Sequence, residues 1–232
     1  MPDDSAQRIP LDRGRVLGCA VRLADTEGFD AVTMRALATE LDVVPMALYK
    51  HVANKSDLVD GMIDVVVDSY PASSAQGWRR SVRSRILAAR RVYLTHPWMR
   101  TAIESRHTPT PGALAYMDSL AAEFIDGGIA VDLTHHAMHV VGSRIWGFTA
   151  EVFTGSAAPS SDLGPAARAA AEAEFAKRYP AVTAIALDAR ARTGPAGCDD
   201  DFEFEFAVDL ILEAVERLHD AGWESTSLRP PT

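Results

Sequence analysis

Residues 33–55 read TMRALATELDVVPMALYKHVANK, and this stretch predicts two short helices joined by a tight turn. Thr33 is a favourable N-cap, and Leu37 and Leu41 follow at the four-residue spacing that places apolar side chains on one face of a helix. Pro45 favours the start of a second helix, because its fixed φ suits the first helical turn and its missing N–H is not needed there. The pattern therefore predicts a helix-turn-helix with its turn between Leu41 and Pro45.

The second helix, predicted from Pro45 to His51, carries a face that suits contact with DNA. Its other face carries Leu48 and Val52, four residues apart, which would be buried. In a helix-turn-helix the start of the second helix enters the major groove, where slim side chains fit and hydrogen-bonding groups reach bases and phosphates. The candidate DNA-contact residues are Thr33, Arg35, Met46, Ala47, Tyr49, Lys50, His51 and Lys55. A surface αα-hairpin with solvated cations is the alternative that this pattern leaves open.

Together with its flanks, the stretch resembles the DNA-binding domain of the tetracycline-repressor-like (TetR) family of transcriptional regulators. The resemblance covers roughly residues 11–70. It is carried by Gly28 and Phe29 at the end of a helix, the Thr33 cap, the Pro45 start, and the pairs Leu48-Tyr49, His51-Val52 and Asn54-Lys55. Many family members have Ser or Thr immediately before the proline, whereas this chain has Val44, so a cap and a phosphate contact are missing there. The resemblance implies double-stranded operator DNA as a partner.

Composition and cysteine usage limit the class of protein. With 47% hydrophobic and 24% charged residues among 232, the chain has the balance of a soluble protein that buries a core. We expect no membrane partner, because no apolar run approaches about 18 residues, and the polar, acidic start MPDDSAQRIP is unlike a signal peptide. Cys19 and Cys198 are far apart in sequence, which favours a reducing, cytoplasmic location over a disulfide scaffold.

The net charge of −9 is unevenly distributed. Residues 61–106 hold eight arginines against three acids, whereas residues 151–232 hold fifteen acids against seven Lys or Arg. The first sixty residues carry −3, so DNA binding would depend on a few placed cations. For the arginines of the helix predicted over residues 78–94, a solvated face paired with acidic neighbours is favoured over auxiliary contacts with the DNA backbone.

Hydrophobic periodicity is helical along the whole chain, so we predict an all-α fold. It would combine an N-terminal three-helix helix-turn-helix DNA-binding domain with a helical ligand-binding and dimerisation core. The predicted segments are a disordered arm (1–10), the DNA-binding domain (11–55), a linking helix capped at Ser56-Asp57 (56–70), the effector-binding and dimerisation domain (78–222) and a tail (223–232).

The core also resembles the tetracycline-repressor branch of the family. Residues 78–99 (WRRSVRSRILAARRVYLTHPWM) and residues 202–218 (FEFEFAVDLILEAVERL) are similar to its first and last core helices. This resemblance implies a homodimer, formed by the last helix and the long helix around residues 131–153, and a pocket for a small-molecule effector inside each core. Helical bundles build such pockets from aromatic and Met side chains with a few polar groups.

The candidate effector-pocket residues are Trp98, His107, Met117, Met138, His139, Trp146 and Phe148. For each aromatic or Met, ordinary core packing is the competing interpretation, because apolar side chains at helical spacing form cores. His135 and His139 lie four residues apart and could chelate a metal, but no third ligand stands at a fixed spacing. We therefore predict no metal site and no cofactor.

Catalytic motifs are missing from the sequence. It has no Gly-x-Ser-x-Gly elbow, no phosphate-binding glycine loop, no HExxH and no CxxC, so we predict that the protein is not an enzyme. We predict instead a ligand-responsive, DNA-binding transcriptional regulator, a repressor released from a palindromic operator by its effector. The alternative is an all-helical protein-interaction module without sequence-specific DNA binding.

Overall fold

A computed structural model of the protein describes residues 10–146, 164–194 and 199–225, and within these ranges every regular element is a helix. The helices are α1 (Arg13–Glu27), α2 (Met34–Glu40), α3 (Pro45–Leu48), α4 (Lys55–Asp68), α5 (Trp78–Thr95), α6 (Met99–Glu104), α7 (Pro111–Asp126), α8 (Val131–Trp146), α9 (Pro165–Arg178), α10 (Pro180–Thr193) and α11 (Asp200–Asp220), with a 3-10 turn at Phe29–Ala31. The all-α prediction is confirmed for these residues.

The chain divides into two compact units. The first comprises residues 1–138 and 222–232, and it holds α1 to α7 with the first half of α8. The second comprises residues 139–221, with the rest of α8 and helices α9 to α11. The predicted arm at residues 1–10 and most of the predicted tail lie outside the described residues.

Helices α1 and α2 each begin at a side-chain cap. The Asp12 carboxylate accepts a hydrogen bond from the Arg15 backbone N–H at 2.7 Å, and the Thr33 hydroxyl accepts one from the Ala36 N–H at 3.1 Å. Each side chain satisfies a backbone donor that the first turn of a helix leaves without a partner. The predicted N-cap at Thr33 is therefore confirmed.

The turn of the helix-turn-helix is a Schellman motif centred on Asp42. This residue has a φ of 53°, in the left-handed region, and its N–H donates to the Thr39 carbonyl at 3.2 Å. The Val43 N–H donates to the Ala38 carbonyl at 2.9 Å. These two bonds satisfy carbonyls at the end of α2. They also fix the direction in which the chain enters α3.

Helix α3 is shorter than predicted, and α4 starts at a different cap. After Leu48, which is fully buried, the backbone tightens so that the His51 N–H donates to the Leu48 carbonyl at 2.9 Å in place of a helical bond. Asn54, not Ser56, caps α4, because its side-chain oxygen accepts from the Asp57 N–H at 2.9 Å. In return, the Asp57 carboxylate accepts from the Ala53 N–H at 2.7 Å, which closes a variant of the capping box in which the return bond goes to the residue before the cap.

The apolar core of the first unit joins the helix-turn-helix to the helices that follow it. Helix α4 buries Leu58, Met62 and Val66 on the side that faces its neighbours. Gly61 lets α4 approach α1 closely, because a Cβ at this position would lie 2.7 Å from a methyl carbon of Leu17. Further along, Phe124 of α7 is fully buried and packs against the Trp78 ring of α5 at 5.5 Å.

The second unit contains a helical hairpin and the long helix α11. Helices α9 and α10 pack on each other, and no residue of α9 is buried. Helix α11 is capped by Asp199 and buries Phe204, Val208, Leu212 and Val215 on one side. No helix within the described ranges is both long enough and apolar enough to cross a membrane.

Candidate nucleic-acid interface

The predicted DNA-contact residues lie in α2 and its cap, in α3, in the turn that follows α3 and at the first position of α4. The side chains of Thr33, Arg35, Met46, Tyr49, Lys50 and Lys55 are exposed, and those of Ala47 and His51 are half-buried. Leu48 and Val52 are buried, as the sequence predicts, and they anchor this surface to the rest of the three-helix domain. The segment from α2 to the start of α4 thus carries a phenol, an imidazole and three cationic side chains that are exposed or half-buried.

A cleft of about 970 Å³ lies beside the turn between α2 and α3. Arg15 and Arg35 line it, together with the side chains of Thr39 and Pro45. Guanidinium groups at the margin of a major-groove helix suit contacts with phosphate oxygens, which position the protein on the duplex. The candidate phosphate contact at Arg35 therefore lies next to the recognition helix.

Arg13 makes contacts with the end of the recognition turn that the sequence does not reveal. Its guanidinium donates to both carboxylate oxygens of Asp57, at 2.7 Å and 3.0 Å, and to the backbone carbonyl of His51 at 2.8 Å. A two-pronged pair of this kind fixes orientation as well as distance. Arg13 therefore holds the end of the recognition turn against α1 and the start of α4. The weak signal for it is the Asn54-x-x-Asp57 capping pattern.

The charge of Asp57 is stabilised by this arrangement. The hydrogen bond from Arg13 holds the pKa of Asp57 below its ordinary value, and the Ala53 N–H lowers this pKa further. Because these interactions favour the ionised carboxylate of the folded protein, they make folding more favourable at neutral pH than in acid.

Loss of the Asp57 charge is expected to lower stability at neutral pH and to have less effect in acid. The folded-state pKa is depressed, so the pair contributes in full above the unfolded pKa of about 4 and is lost as the pH falls through the lower folded value. Both side chains are partly exposed, so we expect Asp57→Asn to cost about 0.5–1 kcal/mol at pH 7. Thermal unfolding followed by circular dichroism at pH 7 and pH 3 measures this cost.

Asp68→Asn is the matched control for that experiment, because Asp68 is an exposed carboxylate near the other end of the same helix. It should not lower the melting temperature at pH 7. A deficit of equal size for Asp57→Asn at pH 7 and pH 3 would contradict the charge argument and leave only the lost packing or capping geometry as its cause.

Three carboxylates along α4, which we call the carboxylate row, connect this helix to three other elements. The row consists of Asp57, Asp60 and Asp64, whose spacing of three and then four residues places them on one face. Asp57 binds Arg13 of α1, as described above. Asp60 pairs with Arg106 beyond α6 at 2.8 Å, and Asp64 accepts from the Gly112 N–H in α7 at 2.9 Å.

Asp25 forms a further connection, between α1 and the segment that joins α5 to α6. One of its carboxylate oxygens lies 2.7 Å from His96 Nδ1 and accepts from the Trp98 indole N–H at 2.6 Å. The Trp98 ring also stacks on Phe29, with ring centroids 6.2 Å apart. The buried Trp98 side chain thus packs on the helix-turn-helix side of its segment.

The other candidate effector-pocket residues are spread over several elements. His107 is exposed in the turn before α7, Met117 is exposed on α7, and α8 carries the half-buried Met138 and the exposed His139. The side chain of Trp146 and the whole of Phe148 lie outside the described part of the chain. Their role in a shared effector pocket remains a prediction.

A half-buried polar cluster that the sequence does not reveal lies beyond the end of α4. Tyr70 packs edge-on against Tyr116 of α7 with centroids 5.0 Å apart, and Arg85 of α5 lies 5.3 Å over the Tyr116 ring. Burial raises the pKa of Tyr70, and it raises the pKa of Tyr116 to about 12, so both phenols are neutral donors. Arg85 also donates to the Ser119 carbonyl at 2.9 Å and pairs with Glu123.

A further polar group lies on α8, where it is buried. Thr134 of α8 is 3% exposed, and its hydroxyl has no hydrogen-bond partner within the described residues. Burial of an unsatisfied hydroxyl costs free energy, so a bound polar molecule would be favoured there.

Across residues 10–146, 164–194 and 199–225, no group of three or more His, Cys, Asp or Glu side chains is arranged to hold a metal ion.

Comparison with known families identifies two regions of the chain. Residues 16–62 match the model of bacterial regulatory proteins of the tetR family, and residues 70–218 match the tetracyclin repressor-like C-terminal domain. The first match covers α1 to α3 and the start of α4, and therefore includes every candidate DNA-contact residue.

Individual transcriptional regulators are also similar to this chain. An HTH-type transcriptional regulator of Saccharopolyspora erythraea is 31% identical over 130 residues, which is 55% of this chain and 55% of that protein. The HTH-type transcriptional repressor DrrR1 of Streptomyces coeruleorubidus is 27% identical over 90% of this chain and 78% of its own length. The Streptomyces coelicolor TetR family protein ActR, solved in complex with (S)-DNPA, superposes with a TM-score of 0.64 at 22% identity, over 91% of this chain and 100% of ActR.

Proposed function

Because the chain belongs to the tetR family of bacterial regulatory proteins, we propose that it acts as a homodimeric repressor released from a palindromic operator by a small molecule. The chain is a DNA-binding transcriptional regulator of the helix-turn-helix type. The match of residues 16–62 argues against the alternative of a protein-interaction module without DNA binding. The observation that carries the proposal is the exposure of polar and cationic side chains on α2, on the turn that follows α3 and at the start of α4.

The chemistry of each candidate residue suggests whether it contacts bases or phosphates. Met46 and Ala47 lie at the start of α3, where a helix approaches base edges. Tyr49, Lys50 and His51 follow on the turn, and their donors reach outward to phosphate or base atoms. Arg35 and Lys55 flank this surface and suit phosphates on either side. Because so few cations are involved, we expect weak non-specific binding and a modest salt dependence.

A homodimer would place two such surfaces on one palindrome. The outer face of α11 supports this part of the proposal, since Phe202, Phe206 and Leu210 are all more than half exposed and recur every four residues. Exposed apolar stripes of this kind mark association sites. The two recognition helices would then enter successive major grooves, roughly 34 Å apart.

The effector would act on α4, to which the carboxylate row connects three other elements. We propose that the effector binds near the half-buried polar cluster of Tyr70, Arg85 and Tyr116, because these groups offer donors next to apolar side chains. The unsatisfied Thr134 hydroxyl of α8 is a second candidate contact for a polar ligand. Tyr70 directly follows α4, so a ligand that rearranges it would also move that helix. The ligand can change operator affinity only through its differential affinity for two states, which typically amounts to about 5- to 150-fold.

The test of this proposal is a fluorescence-anisotropy titration of the purified protein against DNA from the region upstream of its own gene. It would be run at two salt concentrations with unrelated DNA as competitor. Specific binding at two protein copies per site is the expected result. Weak binding that salt removes and unrelated DNA competes away would reject the proposal and leave the helical interaction module.

A further inference from the structure

The first turn of the recognition helix presents an apolar surface to solvent. We call it the apolar ridge, and it consists of Val44, Pro45 and Met46. Val44 is 68% exposed and Met46 is 72% exposed, the highest value among the large apolar side chains of the described residues. Pro45 between them is also exposed. The ridge therefore leaves apolar atoms in water at the point of α3 that leads into the major groove.

The backbone beneath the ridge is firmly held. The Schellman motif at Asp42 fixes the chain just before Val44, and the Val44 carbonyl accepts from the Ala47 N–H at 2.9 Å. On the other side, Leu48 is fully buried and anchors the end of α3. The exposure of Val44 and Met46 is therefore built into the turn, and it is not a feature of a loosely attached loop.

The side chains of the ridge can read only one feature of a base pair. The side chains of Val44 and Pro45 have no hydrogen-bonding atom, the Met46 sulfur is only a weak acceptor, and Pro45 has no backbone N–H. The ridge therefore offers no donor to guanine and no strong acceptor to adenine or cytosine. The one apolar group on the major-groove edge is the 5-methyl group of thymine. Resting on the operator binding proposed above, we propose that Val44 and Met46 are specificity-determining residues that select thymine by contact with its methyl group.

A protein partner for the ridge is disfavoured by size and charge. Stable protein interfaces bury at least about 1,000 Å² in total, far more than three side chains supply. The neighbouring elements also expose three cations, Arg35, Lys50 and Lys55, together with the acids Glu40 and Asp42. Cations around a small apolar contact suit a duplex, whose phosphates flank every base edge.

Replacing thymine by uracil tests the proposal, because this exchange removes the methyl group and leaves every hydrogen-bonding group in place. Synthetic duplexes would span the site that footprinting locates upstream of the gene, with uracil at one symmetric pair of thymines at a time. For the native protein we expect affinity to fall about fourfold per lost methyl at the contacted step, and about 15-fold when both half-sites are changed.

The same titrations with Met46→Ala and Val44→Ala complete the cycle. At the contacted positions, one or both variants should bind the thymine and uracil duplexes with nearly equal affinity. Leu187→Ala is the matched control, because Leu187 is 61% exposed on α10, which belongs to the second unit, and this variant should keep the native ratio. Both ridge residues are exposed, so circular dichroism should show intact folding.

The outcomes separate this inference from the function on which it rests. If the native protein binds the thymine duplex specifically but binds every uracil duplex equally well, the methyl readout is rejected and operator binding stands. If the thymine preference persists unchanged in both ridge variants, another residue reads the methyl groups and the assignment to Val44 and Met46 is rejected. If no upstream duplex binds specifically, the proposed function and the inference fall together.

Discussion

Replacing Tyr49 by alanine should lower operator affinity by about 100-fold or more while leaving the dimer and its melting temperature unchanged. Tyr49 is 46% exposed at the end of α3, so its removal leaves no cavity in the core. A hydrogen bond from a phenol to a phosphate contributes about 1.5–3 kcal/mol. A dimer loses this bond at both half-sites, and a total of about 3 kcal/mol corresponds to roughly a hundredfold change in affinity.

Two further tyrosine variants define the cause of that loss. Tyr49→Phe keeps the ring and removes the hydroxyl, so it should reproduce most of the effect if the contact is a hydrogen bond to phosphate. Tyr179→Ala is the matched control, because Tyr179 is 43% exposed but lies after α9, outside the helix-turn-helix. Full operator affinity in a folded Tyr49→Ala protein would remove the recognition helix from the proposed interface.

Introducing a charge at Phe206 should dissociate the dimer. Phe206 is 55% exposed on the outer face of α11, where its ring stacks on that of Phe202 with centroids 6.4 Å apart. Burying such a ring contributes about 1.5–3 kcal/mol to the free energy of association. In a two-fold interface both protomers carry the substitution, so this loss occurs twice. Phe206→Asp loses this burial and also places a carboxylate in an apolar contact, so the dimer dissociation constant should rise by at least about a hundredfold.

Analytical ultracentrifugation over a range of concentrations measures the dimer constant directly. Operator affinity should fall in parallel, because a monomer has one DNA-binding domain and makes only half of the contacts with the operator. Ile185→Asp on α10 is the control, since Ile185 is 56% exposed in the same unit and on another helix. A Phe206→Asp protein that stays dimeric at nanomolar concentration would show that the chain associates through a different surface.

Local chemistry in the sequence predicts the helices well. The caps at Asp12 and Thr33, the Pro45 start and the buried pair Leu48 and Val52 depend on residues a few positions apart, so periodicity and capping rules determine them. The prediction from sequence is wrong where two nearby residues are both suitable as the cap of one helix. Asn54 and Ser56 are both good caps, and Asn54 caps α4 because Asp57 reaches back to the Ala53 N–H and completes the capping box.

Contacts between distant residues could not be predicted in this way. Arg13 and Asp57 are separated by 44 positions, and Asp25 and Trp98 by 73, so their pairing depends on how the helices pack. Nothing in the spacing of Asp57, Asp60 and Asp64 distinguishes a solvated face from a row of anchoring groups. The direction of the Trp98 ring illustrates the same limit, since an aromatic in a helical pattern does not reveal which neighbour it packs against.

The carboxylate row ties α4 to three other elements, and the length of this helix amplifies small changes in its angle. Helix α4 has 14 residues, so at a rise of about 1.5 Å per residue it is a stiff lever of roughly 20 Å. An angular change of about 10° at one end would displace the other end by about 3.5 Å, close to the 3.4 Å separation of successive base pairs. A repacking event too small to disturb the core could thus move a recognition helix out of step with the base pairs that it contacts.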